Sequence, residues 1–212
     1  MKSRTGTRPR RAGFTLFELL AVILIVGILA GILVINIGEA SDATDARQTE
    51  IRMAQIEAVL NQYEGEFGEY PPSSFTVEQG VANDGENVGI EALVVALWSN
   101  NWEAGGNFEP EDLENTDGDS SAKTLGDLGR NLFEITDMWG NPLAYIHRSD
   151  YGADNRAYVT ITEDGTEARS VPRAFKDPRT DRYFRRNKFQ LISAGQDGLF
   201  DTDDDITTFD RE

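Results

Sequence analysis

The sequence predicts an α+β chain in which one long N-terminal helix packs on a small antiparallel β-sheet. Three observations predict it. From Phe14 to Ile37 the chain is apolar except for one charge, Glu18. From Glu39 to Glu64 there is no proline, and Met53, Ile56, Leu60 and Tyr63 recur three or four positions apart, which gives a helix one apolar face. Beyond Pro71-Pro72 the pattern breaks into short apolar runs separated by Gly-, Asn- and Asp-rich turns, the signature of short strands.

The first element is the apolar run over 14–37. A helix rises ~1.5 Å per residue, so this length crosses a hydrocarbon core of ~30 Å, and the N-terminal half of the helix is predicted to be transmembrane. A secretory signal fits poorly, because its apolar core is about 7–15 residues long and precedes its cut site. Here the small residue before a plausible cut, Gly13, comes ahead of the run. Glu18 is the anomaly. A carboxylate inside a membrane helix costs roughly 2.5–3.5 kcal/mol on insertion scales, so it marks a functional position that needs a partner. Gly27 and Gly31 have the small-xxx-small spacing of close helix contacts, although glycine is common in membrane helices in any case. Residues 1–13 carry Lys2, Arg4, Arg8, Arg10 and Arg11 and no acid, which predicts a cytoplasmic N-terminus and an acidic body on the far side. Residues 38–66 continue the helix outside the membrane. Gly65, Gly68 and Pro71-Pro72 stop it.

Residues 67–212 form the head. A polar loop over 72–87 leads to a short helix over 89–98, where Ile90, Leu93, Val94, Leu97 and Trp98 have helical spacing. The stretch 100–129 is acidic and glycine-rich. Its segment 114–121 has cation-binding residue types without EF-hand spacing, and reads as a solvated acidic loop. Gly140-Asn141-Pro142 turns the chain into an extended run over 143–147. A second strand covers 157–162, and Glu163–Thr166 is the turn after it. Residues 168–186 are a basic insertion with Pro172 and Pro178. Its charge either meets acidic neighbours or is solvated, and solvation is the expectation.

The C-terminal stretch is acidic: Asp197, Asp201, Asp203, Asp204 and Asp205 fall within nine residues. Carboxylates this dense repel one another unless a cation sits among them, and oxygen donors without Cys or His suit a hard ion such as Ca²⁺. An EF-hand parse starting at Asp201 fails, because Ile206 stands where glycine is needed and no helix follows. Composition excludes other classes. There is no cysteine, hence no disulfide or thiolate metal site. The net charge of −17 disfavours nucleic acid. His147 is the single histidine, and no nucleophile motif or phosphate-cradling loop accompanies it, so the chain does not read as an enzyme.

The residues Arg10-Arg11-Ala12-Gly13-Phe14-Thr15-Leu16-Phe17-Glu18 resemble the class III leader of type IV pilins and type II secretion pseudopilins. Tyr63–Pro71 (YEGEFGEYP), Asp137-Met138-Trp139-Gly140-Asn141-Pro142-Leu143-Ala144-Tyr145, and the pattern Ser193, Gly195, Asp197, Gly198, Asp205, Ile206 resemble segments of the major, G-type pseudopilins. The resemblance implies a pilin-like fold with a C-terminal calcium loop. It implies cleavage after Gly13 by a prepilin peptidase, methylation of the new Phe14 amine, and pairing of Glu18 with that amine on a neighbouring subunit. The implied ligands of a structural Ca²⁺ are the side chains of Asp197, Asp203, Asp204 and Asp205 and the carbonyls of Leu191, Ser193 and Leu199. The implied product is a homopolymer, the periplasmic pseudopilus of a type II secretion system. Its partners would be the inner membrane, an assembly platform in that membrane and minor pseudopilins, with the head in the periplasm and no role for nucleic acid. One departure stands: many relatives carry a proline before the asparagine at Asn36, where this chain has Ile35. Two other functions fit the same residues, a type IV pilus subunit for adhesion or motility, and an anchored calcium-dependent binding module that forms no fibre.

Overall fold

The structure is a computed structural model that describes residues 16–76, 79–98, 113–153, 156–209 and 211, with backbone alone at 30–41 and 127. The chain divides into two compact units, residues 1–42 and 43–212. Gly13 and Phe14, the expected cut site, lie outside the described residues.

Helix α1 runs from Leu16 to Phe67. In the first unit its described apolar side chains are nearly all exposed, from Leu16 (82%) and Phe17 (78%) to Leu29. Among the described residues no helix is long and apolar enough to cross a membrane. Of the span expected over 14–37, only Leu16–Leu29 is described with its side chains.

In the second unit α1 buries Thr49, Met53, Ile56, Val59 and Leu60, the face that the three-and-four spacing requires. The helix expected over 38–66 runs one residue further, to Phe67. It passes through Gly65, and Gly68 ends it with a φ of +80° while its N–H donates to the Glu64 carbonyl at 2.7 Å. That conformation is open to glycine without steric penalty, which makes Gly68 the true cap.

Helix α2 spans Val88–Trp98 and is buried from Gly89 to Leu97. Asn87 caps it: its carbonyl accepts from the N–H groups of Ile90 and Glu91, and its side-chain Oδ1 accepts from Val159 N–H at 3.0 Å. Gly89 lets the helix approach the sheet closely, since a Cβ there would lie 2.3 Å from the Tyr145 carbonyl oxygen.

The strands are β1 (Leu113–Glu114), β2 (Glu134–Ile135), β3 (Ala144–His147), β4 (Tyr158–Ile161), β5 (Glu167–Ser170), β6 (Lys176–Asp177), β7 (Arg182–Tyr183), β8 (Phe189–Ser193) and β9 (Ile206–Thr207). All pairings among these strands are antiparallel, but they make four small sheets where the sequence suggested one. The largest has the order β3-β8-β9, and the others are the pairs β1-β2, β4-β5 and β6-β7. Turn residues interrupt the chain too often for longer ladders. Leu93, Tyr145, Phe189 and Leu191 share one apolar core with Met53, Ile56 and Leu60 of α1. The Tyr145 hydroxyl, buried in it, donates to the Pro71 carbonyl at 2.6 Å.

The segment Thr136–Met138 docks on α1 through its backbone. Arg52 donates to the Thr136 carbonyl at 2.8 Å, and Met138 N–H donates to the Thr49 hydroxyl at 3.1 Å. The basic segment 168–186 folds back as β6 and β7. Lys176 and Arg179 are exposed beside Asp181 and Asp177, in line with a solvated surface. Arg185 departs from that expectation by pairing with Glu57 of α1.

Candidate functional site

Glu18 lies in the first turn of α1 and is exposed. Its expected partner group, the Phe14 amine, is outside the described residues.

The C-terminal acidic loop joins β8 to β9 and closes on itself through its own backbone. Asp197 accepts from Leu199 N–H at 2.7 Å. Asp204 accepts from Asp197 N–H at 3.0 Å and from the Thr202 hydroxyl at 2.6 Å. Burial pushes the Asp204 carboxyl up, but these hydrogen bonds outweigh it and hold the group below its ordinary value. Asp205 is buried. One oxygen accepts from Asp201 N–H at 3.0 Å, while Oδ1 is buried with no hydrogen-bond donor. Burial pushes this carboxyl up to about 7. Asp203 is exposed, and its carbonyl accepts from Arg211. Leu199 spends its carbonyl on the Thr202 hydroxyl at 3.1 Å. Leu191 and Ser193 lie within β8, paired in register with Tyr145 and Ile206. Gly195 (φ +65°) and Gly198 (φ +70°) turn the loop where a Cβ would strike Asp204 or the Ile161 carbonyl.

Asp137 ties this loop to the turn before β3. It is buried, and accepts from the Ser193 hydroxyl at 2.7 Å and from the N–H groups of Trp139 (3.0 Å) and Asn141 (2.9 Å). Burial raises its carboxyl to about 6 against those bonds. His147 is buried with Nδ1 against the Ser149 hydroxyl, and burial lowers its pKa.

A second acidic group includes Asp117 of the segment 114–121, which reads in the sequence as a solvated acidic loop. Among the described residues, the carboxylates that converge to within 4.8 Å of one another, three together, are those of Glu91, Asp117 and Glu134. Glu134 accepts from Thr116 N–H at 2.8 Å and from the Asn87 amide at 3.3 Å. Asp117 accepts from the same amide at 3.0 Å. Glu91 is fully buried, and neither of its oxygens has a hydrogen-bond partner. Burial, then the charges of Asp119 and Glu134, push it up to about 10. Burial likewise raises Glu134 to about 8 and Asp119 to about 7. The sequence did hold a signal, since Glu91 is the only charge in the otherwise apolar Val88–Trp98.

The N-terminal residues 8–34 match the model of the prokaryotic N-terminal methylation motif. The chain is 35% identical over 74 residues to the type II secretion system core protein G of Klebsiella michiganensis, covering 35% of this chain and 49% of that protein. It is 35% identical over 74 residues to the protein of the same name from Aeromonas hydrophila, with the same coverage. In both cases the chain spans about half the length of the relative. Against the Escherichia coli protein of that name the identity is 23% over 200 residues, covering 94% of this chain and 92% of the relative. No solved structure matches. The chain thus carries a prokaryotic N-terminal methylation motif at its start. Beyond that motif, the chain is similar to proteins named type II secretion system core protein G.

Proposed function

We propose that this chain is a structural, non-catalytic subunit that polymerises into the periplasmic pseudopilus of a type II secretion system. The observation that carries the reading is the methylation motif over 8–34, whose one acid, Glu18, stands in the first turn of a helix with apolar side chains exposed around it. Surface of that kind needs lipid or other copies of the helix to cover it. On this reading a prepilin peptidase cuts after Gly13 and methylates the amine of Phe14. Residues 14–37 then anchor the subunit in the inner membrane, and Glu18 accepts the amine of the adjacent copy. An acid that pairs with a neighbouring copy once the fibre encloses it sets the axial register, because breaking such a pair costs far more than leaving it formed. The assembly platform and minor pseudopilins are the partners the resemblance supplies.

Ca²⁺ belongs to the same proposal. The orphaned Oδ1 of Asp205 is an oxygen without a donor beside the acidic loop, which fits a cation there. The side chains of Asp197, Asp203, Asp204 and Asp205 and the carbonyls of Leu191, Ser193 and Leu199 would hold it. The ion would supply positive charge that fastens β9 and the loop to β8.

The test is expression of the wild-type chain and Glu18→Leu in a host with a prepilin peptidase. Mature wild-type protein is expected to begin at methylated Phe14 by mass spectrometry, and cysteines placed on adjacent helices are expected to crosslink into ladders. Glu18→Leu is expected to be processed but to give no ladders. Ladders of wild-type length from Glu18→Leu, or wild-type protein that still begins at Met1, would overturn the reading. Processed wild-type protein without ladders would point to an anchored module that forms no fibre.

A further inference from the structure

Glu91, Asp117 and Glu134 come from three separate parts of the head. Glu91 is on α2, Asp117 follows β1, and Glu134 is on β2. Their oxygens lie within 4.8 Å of one another, the separation of ligand atoms about 2.4 Å from a shared ion. Asp119 brings a fourth carboxylate close enough to perturb Glu91.

Glu91 distinguishes this cluster from an ordinary acidic surface. It is 0% exposed, its two oxygens have no donor, and the groups that perturb it are all acids. Among the described residues none of the four carboxylates is ion-paired with Lys or Arg. The nearby Arg169 is taken by Glu86 and Glu167. Among the described residues, the polar donors at the cluster are the Asn87 amide and the N–H groups of Thr116 and Asp119, and all of them serve Glu134 or Asp117. A buried carboxylate in this position is relieved either by a proton or by a metal ion.

We propose that Glu91, Asp117 and Glu134 bind a hard divalent cation, a site separate from the C-terminal loop. The donors are all oxygen and carry no Cys or His, which selects Ca²⁺, Mg²⁺ or Mn²⁺ over softer metals. The ion supplies the positive charge that Glu91 lacks. It also clamps α2 to β2 and to the segment after β1, so its role is to rigidify this side of the head.

The experiment uses the full chain in detergent, stripped with EDTA and then equilibrated with CaCl₂, with MgCl₂ and MnCl₂ in parallel. Bound metal per chain is measured by elemental analysis after dialysis, together with the thermal midpoint. Glu91→Gln preserves shape and removes the charge, and is expected to lose one ion per chain relative to wild type, whatever the wild-type number. The cation-dependent rise in the midpoint is expected to shrink with it. Asp117→Asn, on the half-exposed arm, is the second variant and is expected to lose the same ion. Glu114→Gln, exposed on β1, is expected to bind as wild type. The double variant Asp197→Asn/Asp205→Asn is expected to keep the ion that Glu91→Gln loses. Wild-type metal content in both Glu91→Gln and Asp117→Asn would overturn the proposal. So would a Glu91→Gln protein that is more stable without cation and unchanged in binding, since the cluster would then hold a proton instead.

Discussion

The Ser193 hydroxyl donates to Oδ2 of Asp137 at 2.7 Å, joining two segments 56 residues apart. The same carboxylate collects the N–H groups of Trp139 and Asn141, so one buried side chain fixes both the turn into β3 and the end of β8. This explains why an acid heads the segment Asp137–Tyr145. Replacing Asp137 with alanine strands three donors, and each unsatisfied buried group costs about 1–3 kcal/mol, with partial relief by water. Asp137→Ala is expected to lose about 2–4 kcal/mol in urea unfolding, and Asp137→Asn, which keeps a carbonyl acceptor, less than half as much. Equal losses would show that the negative charge, rather than the acceptor geometry, is what the site requires.

Two glycines of different kinds give opposite expectations. Gly195 has a φ of +65°, and a Cβ there would lie 2.5 Å from both the backbone oxygen and Oδ2 of Asp204. Gly195→Ala is therefore expected to cost about 1–3 kcal/mol and to disturb the acidic loop. Gly65 sits inside α1, and a Cβ there would meet nothing within 4 Å. Gly65→Ala is expected to stabilise by about 0.5–1 kcal/mol, because alanine is the better helix former and restricts the unfolded chain. Thermal unfolding of the two variants checks both signs, and a destabilised Gly65→Ala would mean that this turn of α1 is covered by something else.

How far the sequence can be read depends on whether a signal is local. The periodicity of Met53, Ile56 and Leu60 identifies the buried face of α1, and Gly140-Asn141-Pro142 locates the turn into β3. Both are settled by neighbours along the chain. The end of α1 is harder to place because two glycines stand three apart, and only the backbone conformation of Gly68 distinguishes a cap from a helical glycine. The division into four small sheets depends on cross-chain pairings that short strands do not encode. Glu91 carries the same local signal as Glu18, since each is a lone acid in an apolar helix. Its partners Asp117 and Glu134 lie 26 and 43 positions further on, and only the fold brings them together.

Arg185 shows that the basic segment is part of the structure and not only a charged surface. It pairs with Glu57, and the side chains are 22% and 18% exposed. It also donates to the Thr208 carbonyl at 2.7 Å and lies over the Phe209 ring at 6.0 Å. Exposed ion pairs contribute about 0–1 kcal/mol, but partial burial and a second acceptor raise the cost of truncating one partner. Arg185→Ala is expected to lose about 1–3 kcal/mol. A double-mutant cycle with Glu57→Ala is expected to return a coupling of about 1 kcal/mol, and a coupling near zero would reduce Arg185 to packing alone.

The raised carboxyls make the cation-free head weaker in alkali. Glu91 is pushed to about 10, Glu134 to about 8, Asp119 and Asp205 to about 7, and Asp137 to about 6, all chiefly by burial, and Asp117 is raised in the same direction. Facing the first cluster are also the acids Asp84 and Glu86, the latter paired with Arg169. Between the ordinary carboxyl values and these raised ones the folded chain holds protons that the unfolded chain has released, so stability falls as pH rises. The lowered carboxyls of Asp164, Asp177 and Asp204 work in the opposite direction only below the ordinary value of 3.8, and His147, lowered by burial, opposes the raised carboxyls as a single group and only below its ordinary 6.5. In EDTA the thermal midpoint is therefore expected to decline steadily from about pH 5 to about pH 8. Glu134→Gln, which cannot ionise, is expected to flatten that decline. A divalent cation stabilises the ionised carboxylates instead of the protons, so adding CaCl₂ should recover most of the loss at pH 8 and little at pH 5. A midpoint in EDTA that rises over this range would mean that these acids are ionised and compensated by groups within the chain itself.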